Sequence, residues 1–205
     1  MSLRALLYDW GGLNVWLFHA INQASSAWSD HLWLLGTALG DHDNFFWFLG
    51  FFGLATALVG WKGGRRRAFP WLCATLVFAL GYVAEDMLVG GLKGFFDFPR
   101  PLLALPPETV HLLGPAKLHN SLPSGHAAFA ALFAASVWPA LKRPGRVAAA
   151  LFVVWVGFAR IGVGAHFPAD VFYGTLLSVL LAWALRRPVK AMLNLACAKS
   201  GQQIQ

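Results

Sequence analysis

Five stretches of this chain are too apolar to be left in water: Phe45 to Trp61, Ala68 to Leu92, Ala127 to Leu141, Val147 to Ile161 and Val171 to Leu185. A helix rises 1.5 Å per residue, so about 17 to 25 residues cross the ~30 Å hydrocarbon layer, and the shorter runs reach that length with their flanking polar turns included. Composition agrees, because a soluble domain that is 58% hydrophobic and 12% charged would struggle to stay out of aggregates. The expected fold class is all-α, a polytopic transmembrane bundle of five or six spans.

A net charge of +7 could suggest nucleic acid as a partner. The basic residues instead sit in short clusters between apolar runs, Lys62 to Arg67, Lys142 to Arg146 and Arg186 to Lys190, at alternate ends of successive runs. One topology places all three in the cytoplasm, as the positive-inside rule requires, so the charge reads as orientation and nucleic acid is not an expected partner. The region before Phe45, the segment Lys93 to Pro123 and the turn Arg160 to Asp170 then face outward.

Residues Leu13 to Gly40 mix apolar positions at helical spacing with Asn14, His19, Asn22, Gln23, Asp30 and His31. That pattern predicts two amphipathic helices in the membrane interface, with a polar-interrupted sixth crossing as the alternative. Cys73 and Cys197 form neither a disulfide framework nor a paired metal-ligand motif. The N-terminus lacks the long apolar core and small-residue cleavage site of a removed signal peptide. With no internal repeat and no long linker, residues 1–205 read as one domain: interfacial helices over 1–43, a transmembrane core with the active site over 44–190, and a tail over 191–205 that ends in a disordered "AKSGQQIQ".

Three polar clusters emerge on the outward side. Lys93 and Arg100 bracket an aromatic turn before Pro101; Pro123, Ser124, Gly125 and His126 open an apolar helix; Arg160, His166 and Asp170 span a tight turn. Singly, these are interface anchors, a helix cap and interfacial histidines. Together they suit a phosphate ester. Lys93, Arg100 and Arg160 could neutralise its charge, with the arginines offering two-pronged forks. A helix start at Ser124 and Gly125 supplies unpaired N–H groups, a positive dipole end and close approach to an oxyanion.

His166 and Asp170 are four apart with Pro168 suited to a first helical turn, so both side chains are expected on one face, the carboxylate orienting the imidazole and leaving a lone pair for nucleophilic attack. His126, beside the anion seat, is placed to deliver a proton to a departing alcohol. Neither histidine cluster has a usual zinc spacing, and the nearby cations would repel a divalent ion, so no metal or other cofactor is expected. Two further features are softer. Asp86 stands two helical turns from Lys93 and could pair with it, and His111, His119 and Asn120 could line the headgroup entrance.

The three clusters resemble the signature of the type 2 phosphatidic acid phosphatase superfamily, integral-membrane enzymes related in fold to bacterial acid phosphatases and vanadium haloperoxidases. The family pattern is Lys, six residues, Arg-Pro; then Pro-Ser-Gly-His; then Ser-Arg, five residues, His, three residues, Asp. Lys93, Arg100 and Pro101 match the first, Pro123 to His126 the second, and Arg160, His166 and Asp170 the third. Ala159 departs, standing where the family has serine.

The resemblance implies a metal-independent reaction. His166 would attack phosphorus to give a phosphohistidine, with Asp170 fixing it. His126 would protonate the leaving oxygen and then activate water, and Lys93, Arg100, Ser124, Gly125 and Arg160 would hold the phosphoryl oxygens. A site at the hydrocarbon boundary favours a lipid phosphate, with undecaprenyl diphosphate, phosphatidylglycerol phosphate, phosphatidate and lipid A within the family's range. Transfer of the phosphoryl group to a second lipid is the alternative to hydrolysis. The expected setting is a bacterial inner membrane, with the site facing the periplasm or the cell exterior.

Overall fold

A computed structural model of the chain describes Ala5 and residues 8–199. Helices α1 (Leu13–Asn22) and α2 (Ala27–Leu39) come first, then α3 (Phe45–Phe96), the single turn α4 (Pro101–Ala104), α5 (Gly125–Val137), α6 (Arg143–Gly162) and α7 (Pro168–Lys199). No strand occurs among the described residues. The chain is all-α, as its apolar runs require.

The first two runs share α3, which is broken at Gly64 with φ 71°, a left-handed backbone that glycine adopts without steric cost. Thr56 and Thr75 have their hydroxyls 3.4 Å apart although they are separated by 19 residues. On one straight helix that separation would be about 28 Å, so α3 is a hairpin of two antiparallel arms. Its arms are zipped by aromatic pairs, including Phe45 stacked on Tyr82 at 4.0 Å and Phe52 against Phe78 at 5.1 Å. The basic residues Lys62 to Arg67 occupy the hairpin bend.

Among the described residues, three segments are long and apolar enough to cross a membrane, His42–Ala104 (which contains the hairpin), Arg143–Gly162 and Pro168–Ala198, while Gly125–Ala140 is apolar but shorter. At 1.5 Å per residue that shorter helix is only about 24 Å long. It is the central element. Residues Ala127 to Leu132 of α5 are at most 1% exposed, buried by Phe52, Val77 and Phe78 of α3 and Ala182 and Val189 of α7. A short helix surrounded by longer ones has its first turn sunk below their ends. This recess becomes the site.

Small residues set the approach of the neighbours. A Cβ at Gly81 would lie 2.7 Å from Leu132 Cδ1, so glycine lets α3 close on α5. Gly36 plays the same part where α2 crosses α6, since a Cβ there would lie 2.8 Å from that of Ala159.

The interfacial helices differ from the simple amphipathic picture. Trp16, Trp28, Leu34 and Leu35 are exposed, as a lipid-facing side should be, but Asn14 and Asn22 are buried rather than turned to water. Asn14 accepts from the Ala169 N–H at 2.9 Å, while Asn22 donates to the carbonyls of His111 and Gly162 and accepts from the His111 N–H at 2.8 Å. These polar residues pair backbone groups at the end of α6, at the start of α7 and in the irregular segment at His111.

At the opposite pole, Arg186 of α7 donates to the Ala135 carbonyl of α5 at 2.7 Å. Helix α7 runs straight through the basic cluster at 186–190, and the tail assigned to 191–205 is helical as far as Lys199. The remainder of "AKSGQQIQ" lies outside the described residues, as do most of the first seven.

Candidate active site

The recess at the start of α5 is floored by Ser124, the helix N-cap, whose backbone N–H is tied to the Asp170 carbonyl at 3.0 Å. Its hydroxyl is fully buried and makes no hydrogen bond. A hydroxyl in that state is costly unless something else pairs with it, and a helix start is where an anion would do so. Gly125 follows, with the Lys93 amino nitrogen 3.7 Å from where a Cβ would be. Gly174 of α7 passes so close to Ser124 that a Cβ would sit 2.5 Å from its carbonyl oxygen.

Arg100 reaches the recess from the segment after α3. Its Nε donates to the His119 carbonyl at 2.9 Å, and Nη1 donates to the Ala165 carbonyl at 3.1 Å and faces His166 Nε2 at 3.3 Å. Backbone carbonyls thus aim the guanidinium and leave its charge uncompensated. Arg160, in the last turn of α6, donates from Nη1 to Thr37 Oγ1 of α2 at 3.2 Å, and its Nε is buried without a partner. Both arginines are less than 10% exposed.

His166 lies in the turn before α7, 2% exposed, with Nδ1 3.3 Å from Asp170 Oδ2. The expected geometry, both residues on one helical face, is replaced by another. Asp170 is the third residue of α7 and its carboxylate reaches back to accept from the Phe167 N–H at 2.8 Å, while His166 stands outside the helix. This is the acidic half of a capping box.

Asp170 also accepts from the Ser121 hydroxyl and, at 2.8 Å, from the Tyr8 hydroxyl. Four donors therefore fix one carboxylate. Because Asp170 accepts, Nδ1 of His166 carries the proton and Nε2 presents its lone pair toward Arg100. Burial, and then the charges of Arg100, Arg160 and Lys93, hold the His166 imidazole well below the ordinary histidine range, so it is neutral near pH 7.

His126, in the first turn of α5, has Nε2 3.4 Å from Asp41 Oδ2. Asp41 belongs to the turn between α2 and α3, and its other oxygen accepts from the Asp43 N–H at 3.0 Å. Burial raises the Asp41 carboxyl, but that N–H together with His126, His42 and Arg160 outweighs it and holds the group below its ordinary range.

The structure therefore brings Lys93, Arg100, Ser124, Gly125, His126, Arg160, His166 and Asp170 to one recess. Tyr8, Thr37, Asp41 and Ser121 belong to it too, and no spacing in the sequence marks them. Of the softer expectations, Asp86 and Lys93 form no ion pair. His111 pairs instead with Asp30 at 3.2 Å, and His119 with Asp97 at 3.4 Å, so His119 and Asn120 serve Arg100 through their carbonyls. Among the described residues no group of three or more His, Cys, Asp or Glu is placed to hold a metal ion.

Beside the recess lies an apolar cavity of about 530 Å³ between α3 and α7, lined among others by Leu92, Phe96, Pro123, Leu176 and Leu180. Pro123 touches both the cavity and the anion seat. A polar pocket backed by an apolar slot suits an amphiphile.

Such a bundle of apolar helices, with a cationic, histidine-bearing recess at one end, is that of an integral-membrane protein. The chain belongs to the PAP2 superfamily, whose family model matches residues 71–191. A lipid A 1-phosphatase from Rhizobium johnstonii is 26% identical over 178 residues, covering 82% of this chain and 68% of its own. The crystal structure of Aquifex aeolicus LpxE superposes with a TM-score of 0.67 at 31% identity, covering 84% of this chain and 94% of that one. A transmembrane PAP2-type phosphatidylglycerolphosphate phosphatase from Bacillus subtilis shares the fold, with a TM-score of 0.66 at 21% identity over 87% of this chain and 85% of its own.

Proposed function

We propose that this chain is a metal-independent lipid phosphatase that cleaves the phosphate ester or diphosphate of a membrane lipid through a phosphohistidine on His166. The observation that carries this reading is the line from Asp170 through His166 to Arg100. A carboxylate holds the imidazole proton at Nδ1, and the opposite nitrogen faces a guanidinium able to hold the phosphoryl group for in-line attack. Lys93, Arg100 and Arg160 supply the charge that a metal would otherwise bring, and the Ser124 hydroxyl and the α5 N–H groups receive the oxyanion. His126 protonates the leaving oxygen and then draws a proton from water. The apolar cavity accepts the lipid chain.

The five helical runs cross the membrane, with the basic ends in the cytoplasm and the recess on the periplasmic side of a bacterial inner membrane. Of the four lipids compatible with the sequence, likeness to the Rhizobium enzyme makes a lipid A bearing a 1-phosphate the first substrate to test.

The test is phosphate release by purified protein in detergent from lipid A, phosphatidate, phosphatidylglycerol phosphate and undecaprenyl diphosphate at matched surface concentration, with His166→Ala alongside. Release from a single lipid that is lost in the variant supports hydrolysis. Turnover only when a second lipid is added would assign phosphotransfer instead, and full activity of His166→Ala would overturn the site.

A further inference from the structure

Resting on that reading, we propose that Asp41 is a positioning residue for His126, holding its imidazole as the acid that protonates the departing lipid oxygen, and that the Glu85–His42 pair fastens the turn that carries it. The first argument is charge. Around His126 stand Arg160 from α6, Asp41 and His42 from the turn after α2, and His166 from the turn before α7; among these Asp41 is the carboxylate. Burial, and then Arg160, hold the His126 imidazole below its ordinary range, and Asp41 is the group that works against them, so a proton donor there needs that anion together with the negative charge of a bound phosphate.

The second argument is geometry. One Asp41 oxygen is fixed by the Asp43 N–H at 3.0 Å, which aims the other at His126 Nε2, 3.4 Å away. Asp170 stands against His166 with a single oxygen, Oδ2, which also accepts from the Phe167 N–H, so each histidine has its own carboxylate, contributed by a different element.

The third is the anchoring of the turn. Glu85 of α3 is 0% exposed, its carboxylate makes no hydrogen bond, and its counter-group is His42 Nε2 at 3.4 Å. An ionisable group buried inside a membrane helix is expensive unless it serves a purpose, and here it draws down the residue next to Asp41. His42 is pressed against the start of α5, with Cε1 3.0 Å from where a Cβ of Gly125 would lie. The turn therefore cannot drift from His126 without leaving Glu85 bare.

In the first step the His166 Nε2–P bond forms as the P–O bond to the lipid breaks, and His126 passes its Nδ1 proton to that oxygen while its Nε2 proton stays toward Asp41. In the second step water loses a proton to Nδ1 and its oxygen bonds phosphorus. The P–N bond then breaks and its electron pair returns to His166.

The experiment compares dodecyl phosphate, whose alkoxide must be protonated to leave, with 4-nitrophenyl phosphate, whose phenolate leaves unaided. The readout is the ratio of their kcat/KM values, which reports the steps up to loss of the leaving group. A positioned acid contributes about 100-fold or more, so Asp41→Asn is expected to lower the ratio by about 10-fold or more, Asp41→Glu to restore part of it, and His126→Ala to lower it furthest. An unchanged ratio in Asp41→Asn, with His126→Ala still lowering it, would sink the role of Asp41 and leave the site reading intact. Equal losses on both esters would assign Asp41 a purely structural part, and a His126→Ala ratio equal to wild type would instead overturn the leaving-group acid itself.

Discussion

Ser124 shows how a residue proposed to bind differs from a stabilising one. Its hydroxyl is buried with no partner, so the folded protein carries the cost of desolvating it and gains no bond in return. Ser124→Ala is therefore expected to leave the melting temperature unchanged or slightly higher, while kcat falls about 100-fold if the hydroxyl donates to the transition-state oxyanion. Melting and turnover on the same preparation check both signs. His166 carries the pH dependence. The unfolded chain protonates this side chain near pH 6.5, whereas the folded chain, where burial and three cations disfavour the charged form, does so only well below that. Proton uptake thus favours the unfolded state, and stability falls as pH drops through about 6.5. The loss in melting temperature between about pH 7.5 and 5.5 should be smaller in His166→Gln than in wild type, and an equal slope in both would contradict the buried neutral imidazole. Ala159, where the family pattern has serine, packs its Cβ toward Gly36 of α2, which gives this departure a structural setting at the crossing of two helices.

Among the elements, α5 does most to build the site, and the contact with α7 decides its shape. Gly174 lets α7 approach until the Ser124 backbone is hydrogen-bonded to the Asp170 carbonyl, which links the start of α5 to the residue whose carboxylate holds His166. A methyl group there would meet the Ser124 carbonyl oxygen at 2.5 Å, and backbone cannot swing aside as a side chain can. Gly174→Ala is expected to cost about 1 to 3 kcal/mol of stability and to lower activity more than 10-fold by separating the two halves of the site. Thermal unfolding and phosphate release test this together, and wild-type values in both would show that α7 has room to move. The helices themselves were legible in the sequence because each apolar run is a local property. That the chain leaves one run at Trp61 and enters the next at Ala68 was legible too, since a basic cluster lies between them, but the position of the break at Gly64 was not. The burial of Asn14 and Asn22 was not, because a polar residue on an apolar helix reads as solvent-facing until the distant backbone groups that it pairs are known.

For the whole molecule, the proposed orientation rests on charge. The Gly64 bend and the α5–α6 junction hold Lys62 to Arg67 and Lys142 to Arg146, and Arg186 reaches the far end of α5 from the site. In a variant lacking Cys73 and Cys197, a cysteine introduced at Thr109 should react with an impermeant thiol reagent in intact spheroplasts, and one at Arg65 should react only after lysis; the reverse pattern would invert the topology. The sequence by itself determined the membrane class and the helical runs, and it singled out the eight candidate residues Lys93, Arg100, Ser124, Gly125, His126, Arg160, His166 and Asp170, since hydrophobicity and motif spacing are written along the chain. Tertiary structure alone decided that Tyr8 and Ser121 share the carboxylate of Asp170, that Thr37 receives Arg160, and that Asp41 stands against His126. Those partners are brought in by packing across up to 162 positions, and a hydrogen bond between residues so far apart leaves no local pattern of its own.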